Sequence, residues 1–138
     1  MDVFSALTTE LLAGGHDVRF SVHGPSMHPT IQEGDRVRLS RLGRIKRGDI
    51  VLCRLQRGLI LHRLVGVVPG SSTCYRLRAD GVGSEEETVA IDQIIGRAVS
   101  VERGDQEIHL SGNWAAVLLR LRQRLSRWVT SKRRPTGD

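Results

Sequence analysis

Short segments of alternating apolar and polar residues follow one another closely between residues 18 and 111, separated by turns that contain Gly or Pro. Alternation with period two predicts β-strands with one buried face. No segment between them has the length and periodicity of a crossover helix, which argues against a parallel α/β fold. The sequence therefore predicts a mainly β fold, a compact folded sheet or β-barrel of six to eight short strands.

Helical patterns flank this β region. Residues 2–13 carry apolar side chains near one face and are followed by Gly14-Gly15, which predicts a short amphipathic helix. Beyond Gly112, apolar residues recur at helical spacing among arginines, which predicts a basic amphipathic helix. We therefore divide the chain into three parts: an N-terminal helix (1–17), a β domain (18–111), and a basic amphipathic helix with its tail (112–138).

The basic excess is concentrated at the carboxyl end. The formal net charge is +6, and seven of the 21 Lys and Arg residues lie between residues 120 and 134. Two interpretations remain open: a solvated helix face packed on the domain, or contact of residues 114–134 with a membrane surface. No nucleic-acid partner is expected. Without a signal peptide or a stretch of about 20 apolar residues, we expect a cytoplasmic protein, or one peripheral at a membrane.

Cys53 and Cys74 both fall in predicted strands. We expect them to be reduced core residues, although a disulfide between them stays open. Neither cysteine forms a C-x-x-C pair, and the histidines show no metal-ligand spacing. The sequence thus predicts no metal site and no cofactor.

Ser26 lies where a strand is broken by Gly24-Pro25, an arrangement that exposes a hydroxyl at a bend. The surrounding box contains Gly24, Ser26, Met27 and Pro29, followed by Gly34-Asp35. It resembles the nucleophile box of the signal peptidase I and LexA-type serine peptidase superfamily. Further segments resemble that superfamily in the same order along the chain: Lys46–Val51, Leu61–Gly66, Arg78–Gly81 and Ile95–Ala98.

The resemblance implies the superfamily's folded β-sheet, Ser26 as nucleophile, and a base at the position of His62. Bacterial members use lysine there, but the only two lysines of this chain, Lys46 and Lys132, fall at a turn and in the tail. Histidine is similar to what archaeal and endoplasmic-reticulum signal peptidases carry. Its ordinary pKa of about 6.5 allows it to accept a proton at neutral pH.

A catalytic histidine needs an acceptor that orients its second nitrogen. Asp80 matches the aspartate of the superfamily's G-D-N turn and is the main candidate, with Asp92 and the run Glu85–Glu87 as weaker ones. The resemblance offers only a partial oxyanion hole. Many bacterial relatives have a serine at the position of Gly24, and Pro25 has no N–H, so the Ser26 N–H and an unidentified second donor remain.

Members of this superfamily bind peptides by strand addition beside the nucleophile, which implicates Phe20, Ser21, Val22 and His23. The resemblance implies a serine endopeptidase that cleaves a leader or signal-like peptide after small residues, for instance to mature a peptide product. The alternative is a catalytically weak or inactive β domain that binds a peptide or a membrane surface. A self-cleaving LexA-like regulator is not expected, because the segment before Val18 is too short for a DNA-binding domain.

Overall fold

A computed structural model describes residues 2–110, and the predicted helix over residues 112–138 lies outside them. The chain begins with helix α1 (Val3–Ala13), whose N-cap Asp2 accepts a 2.8 Å hydrogen bond from the Ser5 N–H. Eight strands follow in the described part of the chain, and the longest connection between them, residues 22–35, contains Ser26. The first seven are β1 (Val18–Ser21), β2 (Arg36–Arg41), β3 (Ile50–Leu55), β4 (Gly58–Val67), β5 (Cys74–Arg78), β6 (Glu86–Ala90) and β7 (Ile94–Arg103). The last is β8 (Gln106–His109). The mainly β prediction is confirmed.

All strand pairs are antiparallel, in the order β1-β2-β7-β3-β4-β5-β6, with β8 beside β7. The two end strands, β1 and β6, each pair on one side only within the described part of the chain. The sheet is therefore not closed, and the predicted β-barrel is wrong in this respect. A closed barrel would require the two end strands to pair with each other. Instead, a cleft lies beside β1.

The central strand β3 separates two apolar clusters. Ile50 and Leu52 belong to the cluster that contains Met27 and Leu12 of α1. Val51 and Cys53 point the other way, into the second cluster. Alternate residues of a strand face opposite sides of the sheet, so burial on both sides explains the nearly continuous apolar sequence of β3.

Helix α1 is held on the sheet by Leu12, which is fully buried. A Cβ on Gly96 of β7 would lie 2.9 Å from Leu12 Cδ1, so glycine permits this close approach. The helix consequently packs on β1, β2 and β7 and brings its first turn to the open side of the sheet.

Candidate active site

Ser26 lies at an exposed bend after β1. Gly24 adopts φ of +85°, a conformation that L side chains rarely adopt, and so turns the chain away from the strand. The next residue, Met27, is only 2% exposed and belongs to the core. The bend is closed by a 3.0 Å hydrogen bond from the His28 N–H to the Pro25 carbonyl. An exposed hydroxyl is thus presented next to a buried anchor.

His62 lies in β4, and its imidazole contacts a carboxylate. Its Nδ1 is 2.6 Å from Oε1 of Glu87 on β6. Both atoms are buried, and apart from this contact neither has a polar partner among residues 2–110. The other oxygen of Glu87, Oε2, accepts a 2.7 Å hydrogen bond from Arg57 Nη2. A proton on Nδ1 donated to Glu87 leaves the lone pair of Nε2 available, which is the tautomer a general base requires.

Burial is the main influence on the pKa of His62 and lowers it from its ordinary value of 6.5. The negative charge of Glu87 and its hydrogen bond raise this pKa, and the positive charge of Arg57 lowers it. The net direction is downward. The imidazole is therefore predominantly neutral at pH 7, as a proton acceptor must be.

The structure corrects the predicted role of Asp80. Its two carboxylate oxygens each accept a 2.7 Å hydrogen bond from buried Arg63, and Thr30 Oγ1 donates a third of 2.7 Å. With both oxygens engaged, Asp80 makes no hydrogen bond to the imidazole of His62, and the carboxylate in contact with that imidazole is Glu87. Asp80 instead joins β4, through Arg63, to Thr30 in the segment that follows Ser26.

The turn at Asp80 also holds the bend at Ser26 through backbone contacts. The Gly81 N–H donates a 2.9 Å hydrogen bond to the Ser26 carbonyl, and the Asp80 N–H lies 3.4 Å from Met27 Sδ. A Cβ on Gly81 would lie 3.0 Å from the Ser26 carbonyl oxygen. Glycine therefore allows the two turns to approach each other so closely.

A cleft of about 630 Å³ contains both Ser26 and His62. The predicted peptide-binding residues Phe20, Ser21, Val22 and His23 line one side, and Leu59–His62 of β4 line the other. Those β4 residues pair with β3 alone, because pairing with β5 begins at Arg63. Within the described residues, two strand edges with unpaired backbone groups therefore flank the cleft.

Ser26 and His62 line the same cleft, but the residues next to them pack in different apolar clusters. His62 pairs with Val51, which places it on the face of the second cluster, whereas Met27 belongs to the first. No hydrogen bond joins Ser26 Oγ to His62 within the described residues. Both residues nevertheless line one cleft, and catalytic hydrogen bonds are often long before substrate binds.

At the bend, the N–H groups of Gly24, Ser26 and Met27 have no acceptor within residues 2–110, and those of Ser26 and Met27 are at and directly after the exposed hydroxyl. Gly24 supplies no side-chain donor and Pro25 has no N–H. The Met27 N–H is a candidate for the second donor that the sequence left unidentified.

Sequence reasoning missed two other residues of the cleft, Phe4 of α1 and Arg57 of the β3–β4 turn. Phe4 belongs to the predicted amphipathic helix, and its ring packs edge-on against Phe20 with centroids 6.1 Å apart. No local pattern connects either residue to Ser26, because the contacts arise from the packing of α1 and from the hairpin.

Residues 2–110 contain no group of three or more His, Cys, Asp or Glu side chains that could hold a metal ion. Both cysteines in this part of the chain are free, with Cys53 buried and Cys74 half-buried. None of the described helices is long and apolar enough to cross a membrane.

Comparison with known proteins identifies the family to which this fold belongs. A family model described as Peptidase S24-like matches residues 4–99, which is more than half of the 138 residues. Ser26, His62 and Glu87 lie within the matched range. No curated protein matches the chain. On the extent of the family match, the chain belongs to the Peptidase S24-like family, within the LexA and signal peptidase I type of serine peptidases.

Proposed function

We propose that this protein is a serine endopeptidase in which Ser26 is the nucleophile, His62 the general base and Glu87 the residue that orients His62. One observation carries the proposal. A neutral imidazole, held through Nδ1 by a carboxylate at 2.6 Å, lines the same cleft as an exposed serine at a bend. Serine nucleophiles need such a base, and such a base needs an orienting partner.

The chemistry follows from these roles. As Ser26 Oγ attacks the carbonyl carbon of the peptide bond, its proton passes to His62 Nε2. The negative charge on the carbonyl oxygen is stabilised by the N–H groups of Ser26 and Met27. The imidazolium, stabilised by Glu87, then gives its proton to the leaving amine as the C–N bond breaks. Water, deprotonated by His62, hydrolyses the resulting ester and restores Ser26.

The two strand edges support peptide binding by strand addition. An extended peptide entering the cleft can pair with Phe20–His23 on one side or with Leu59–His62 on the other. For the residue before the cleaved bond we retain the preference for small side chains that the resemblance implies. A leader or signal-like peptide has the extended conformation and small residues that this cleft would accept.

A second candidate function is peptide binding without turnover. It is favoured by the absence of a hydrogen bond between Ser26 Oγ and His62 in the described structure. The missing side-chain donor at Gly24 also points this way, since loss of one oxyanion donor costs roughly a hundredfold or more in rate. In this case the cleft would hold a peptide strand and release it intact.

Cleavage assays separate the two candidates. Peptides with Ala-x-Ala sites are incubated with wild type, Ser26→Ala and His62→Ala, and the products are identified by mass spectrometry. The endopeptidase proposal predicts cleavage by wild type that both variants lose. Equal product formation by all three proteins would reject it, and binding of intact peptide without any cleavage would establish the second candidate.

We also propose contact of residues 114–134 with a membrane surface, on the basis of their basic and apolar sequence. Flotation with anionic liposomes, with and without residues 113–138, tests it. Loss of flotation on truncation would support the contact, and unchanged flotation would exclude it.

A further inference from the structure

A second cleft, of about 530 Å³, lies beside residues 24–28, which we call the nucleophile bend. Ser26 lines both clefts, whereas His62 and the strand edges line only the first. The second cleft is formed by turns instead of strands. It lies between the nucleophile bend and the turn that follows β5, and its lining includes Pro25, His28, Pro29, Val82 and Ser84.

Hydrogen bonds fix the walls of this cleft relative to Ser26. The Gly81 N–H donates to the Ser26 carbonyl at 2.9 Å, which ties one wall to the other. Ser84 Oγ donates to the Gly81 carbonyl at 2.8 Å and closes the second turn on itself. The cleft is thus formed in the structure as it stands, with a volume in the range of about 300–1,000 Å³ typical of small-ligand sites.

We infer that this second cleft binds the peptide segment that follows the cleaved bond. The inference rests on the proposed function. Suppose that the peptide residues before that bond pair with the strand edges of the first cleft. The peptide then passes Ser26 and continues between the nucleophile bend and the turn that follows β5. A hydroxyl shared by two clefts is the arrangement expected when an endopeptidase contacts its substrate on both sides of the bond.

The residues that line the second cleft indicate which kind of peptide side chain would bind there, directly after the cleaved bond. Pro25, Pro29 and Val82 present apolar surface, and Val82 is fully exposed when no peptide is bound. The one acidic lining residue, Asp80, has both oxygens engaged by Arg63 and Thr30. A positively charged side chain would lose hydration here without gaining a carboxylate partner, and a negatively charged one would find no Lys or Arg among the described residues of the lining. The cleft therefore selects an uncharged, apolar side chain.

Peptides that differ only after the cleaved bond test the inference. A constant Ala-Leu-Ala segment is followed by Val, Asp or Lys within an otherwise identical extension, or ends as a simple amide. We expect kcat/KM to be about tenfold or more higher for the Val peptide than for the charged peptides and the amide, as for apolar groups in other enzyme pockets. The carboxyl-side product beginning with Val should also inhibit competitively.

Two matched variants locate the effect. Val82→Ser should reduce the preference for Val over Asp and weaken inhibition by the product. Val67→Ser removes another exposed valine, at the far end of β4 and outside both clefts, and should leave both quantities unchanged. Val82 has no place in the proposed proton transfers, so the variant should still cleave.

The possible failures are distinct. If wild type cleaves every extended peptide and the amide at equal rates, the second cleft is not a binding site and the proposed peptidase function stands. An unchanged preference in Val82→Ser would likewise overturn the assignment of this cleft. If wild type cleaves none of the peptides while still binding them, the proposed function fails, and this inference fails with it.

Discussion

Replacing Glu87 by glutamine separates the effects of the carboxylate on His62 from those of the fold around it. Glutamine has nearly the same shape and can still hydrogen-bond to the imidazole, but it carries no charge. If Glu87 orients His62 and stabilises the imidazolium, peptide cleavage should fall by about 10²–10⁴-fold, as in other serine peptidases that lose the acid of their triad.

The geometry gives an upper limit for this effect. Two unit charges separated by the 2.6 Å between Nδ1 and Oε1 interact by about 6 kcal/mol at an effective dielectric constant near 20. A loss of 10²–10⁴-fold corresponds to about 3–5 kcal/mol of transition-state stabilisation. The expected loss stays below the limit because glutamine keeps a hydrogen bond and Arg57 already offsets part of the carboxylate charge.

The same substitution should move the pH profile. Neutral imidazole is the active form, so kcat/KM should rise with pH through the pKa of His62, which burial places below 6.5. The negative charge of Glu87 raises that pKa, so its removal lowers it further. The acidic limb of Glu87→Gln should therefore shift to lower pH even though its maximum rate is much smaller.

The assay is kcat/KM of an Ala-x-Ala peptide between pH 4 and 9, with thermal unfolding of each protein as a check on folding. Glu85→Gln is the matched control, because Glu85 is exposed and belongs to the same acidic run. A Glu87→Gln variant that cleaves at the wild-type rate with an unshifted acidic limb would refute the assignment of Glu87.

Three other predictions concern the surroundings of this pair. Asp80→Ala leaves buried Arg63 without its carboxylate and should lower the free energy of unfolding by about 3–5 kcal/mol, measured by urea denaturation. A change well under 1 kcal/mol would contradict the buried pair. Arg57→Gln should raise the pKa of His62 and shift the acidic limb upward, whereas the exposed control Arg44→Gln should not. An acidic limb of the pH profile that is unchanged in Arg57→Gln, or that moves equally in Arg57→Gln and Arg44→Gln, would contradict this role for Arg57. Burial and the charge of Glu87 raise the pKa of Cys53 to about 12, so iodoacetamide at pH 8 should alkylate it only after unfolding. Rapid alkylation of the native protein would show that this thiol is accessible.

Most of the fold could be predicted from alternation and turns. Strand β3 (Ile50–Leu55) is such a case, because the sequence has an apolar segment there with turn residues on each side. The prediction was wrong about closure. Whether end strands such as β1 pair with another strand depends on the bend and twist of the whole sheet, which no local pattern records.

The candidate site could be predicted where a local sequence motif contains the residue. It could not be predicted where the position of a residue depends on the register between two strands. Ser26 and His62 were predicted from such motifs. The sequence does not show which of the three glutamates Glu85–Glu87 contacts His62. Strand β6 begins at Glu86, which pairs with Arg78, so Glu87 pairs with Leu77 of β5. Asp80 was preferred because of its turn, but buried Arg63 holds its carboxylate.

The most direct test of the account is to trap the covalent intermediate. The protein is mixed with a peptide ester that ends in Ala at the cleaved bond, quenched in acid after short times, digested and mapped by mass spectrometry. The account predicts the acyl fragment on Ser26 in wild type, much less of it in His62→Ala, and none in Ser26→Ala. An adduct on another residue, or hydrolysis of the ester that Ser26→Ala retains, would contradict it.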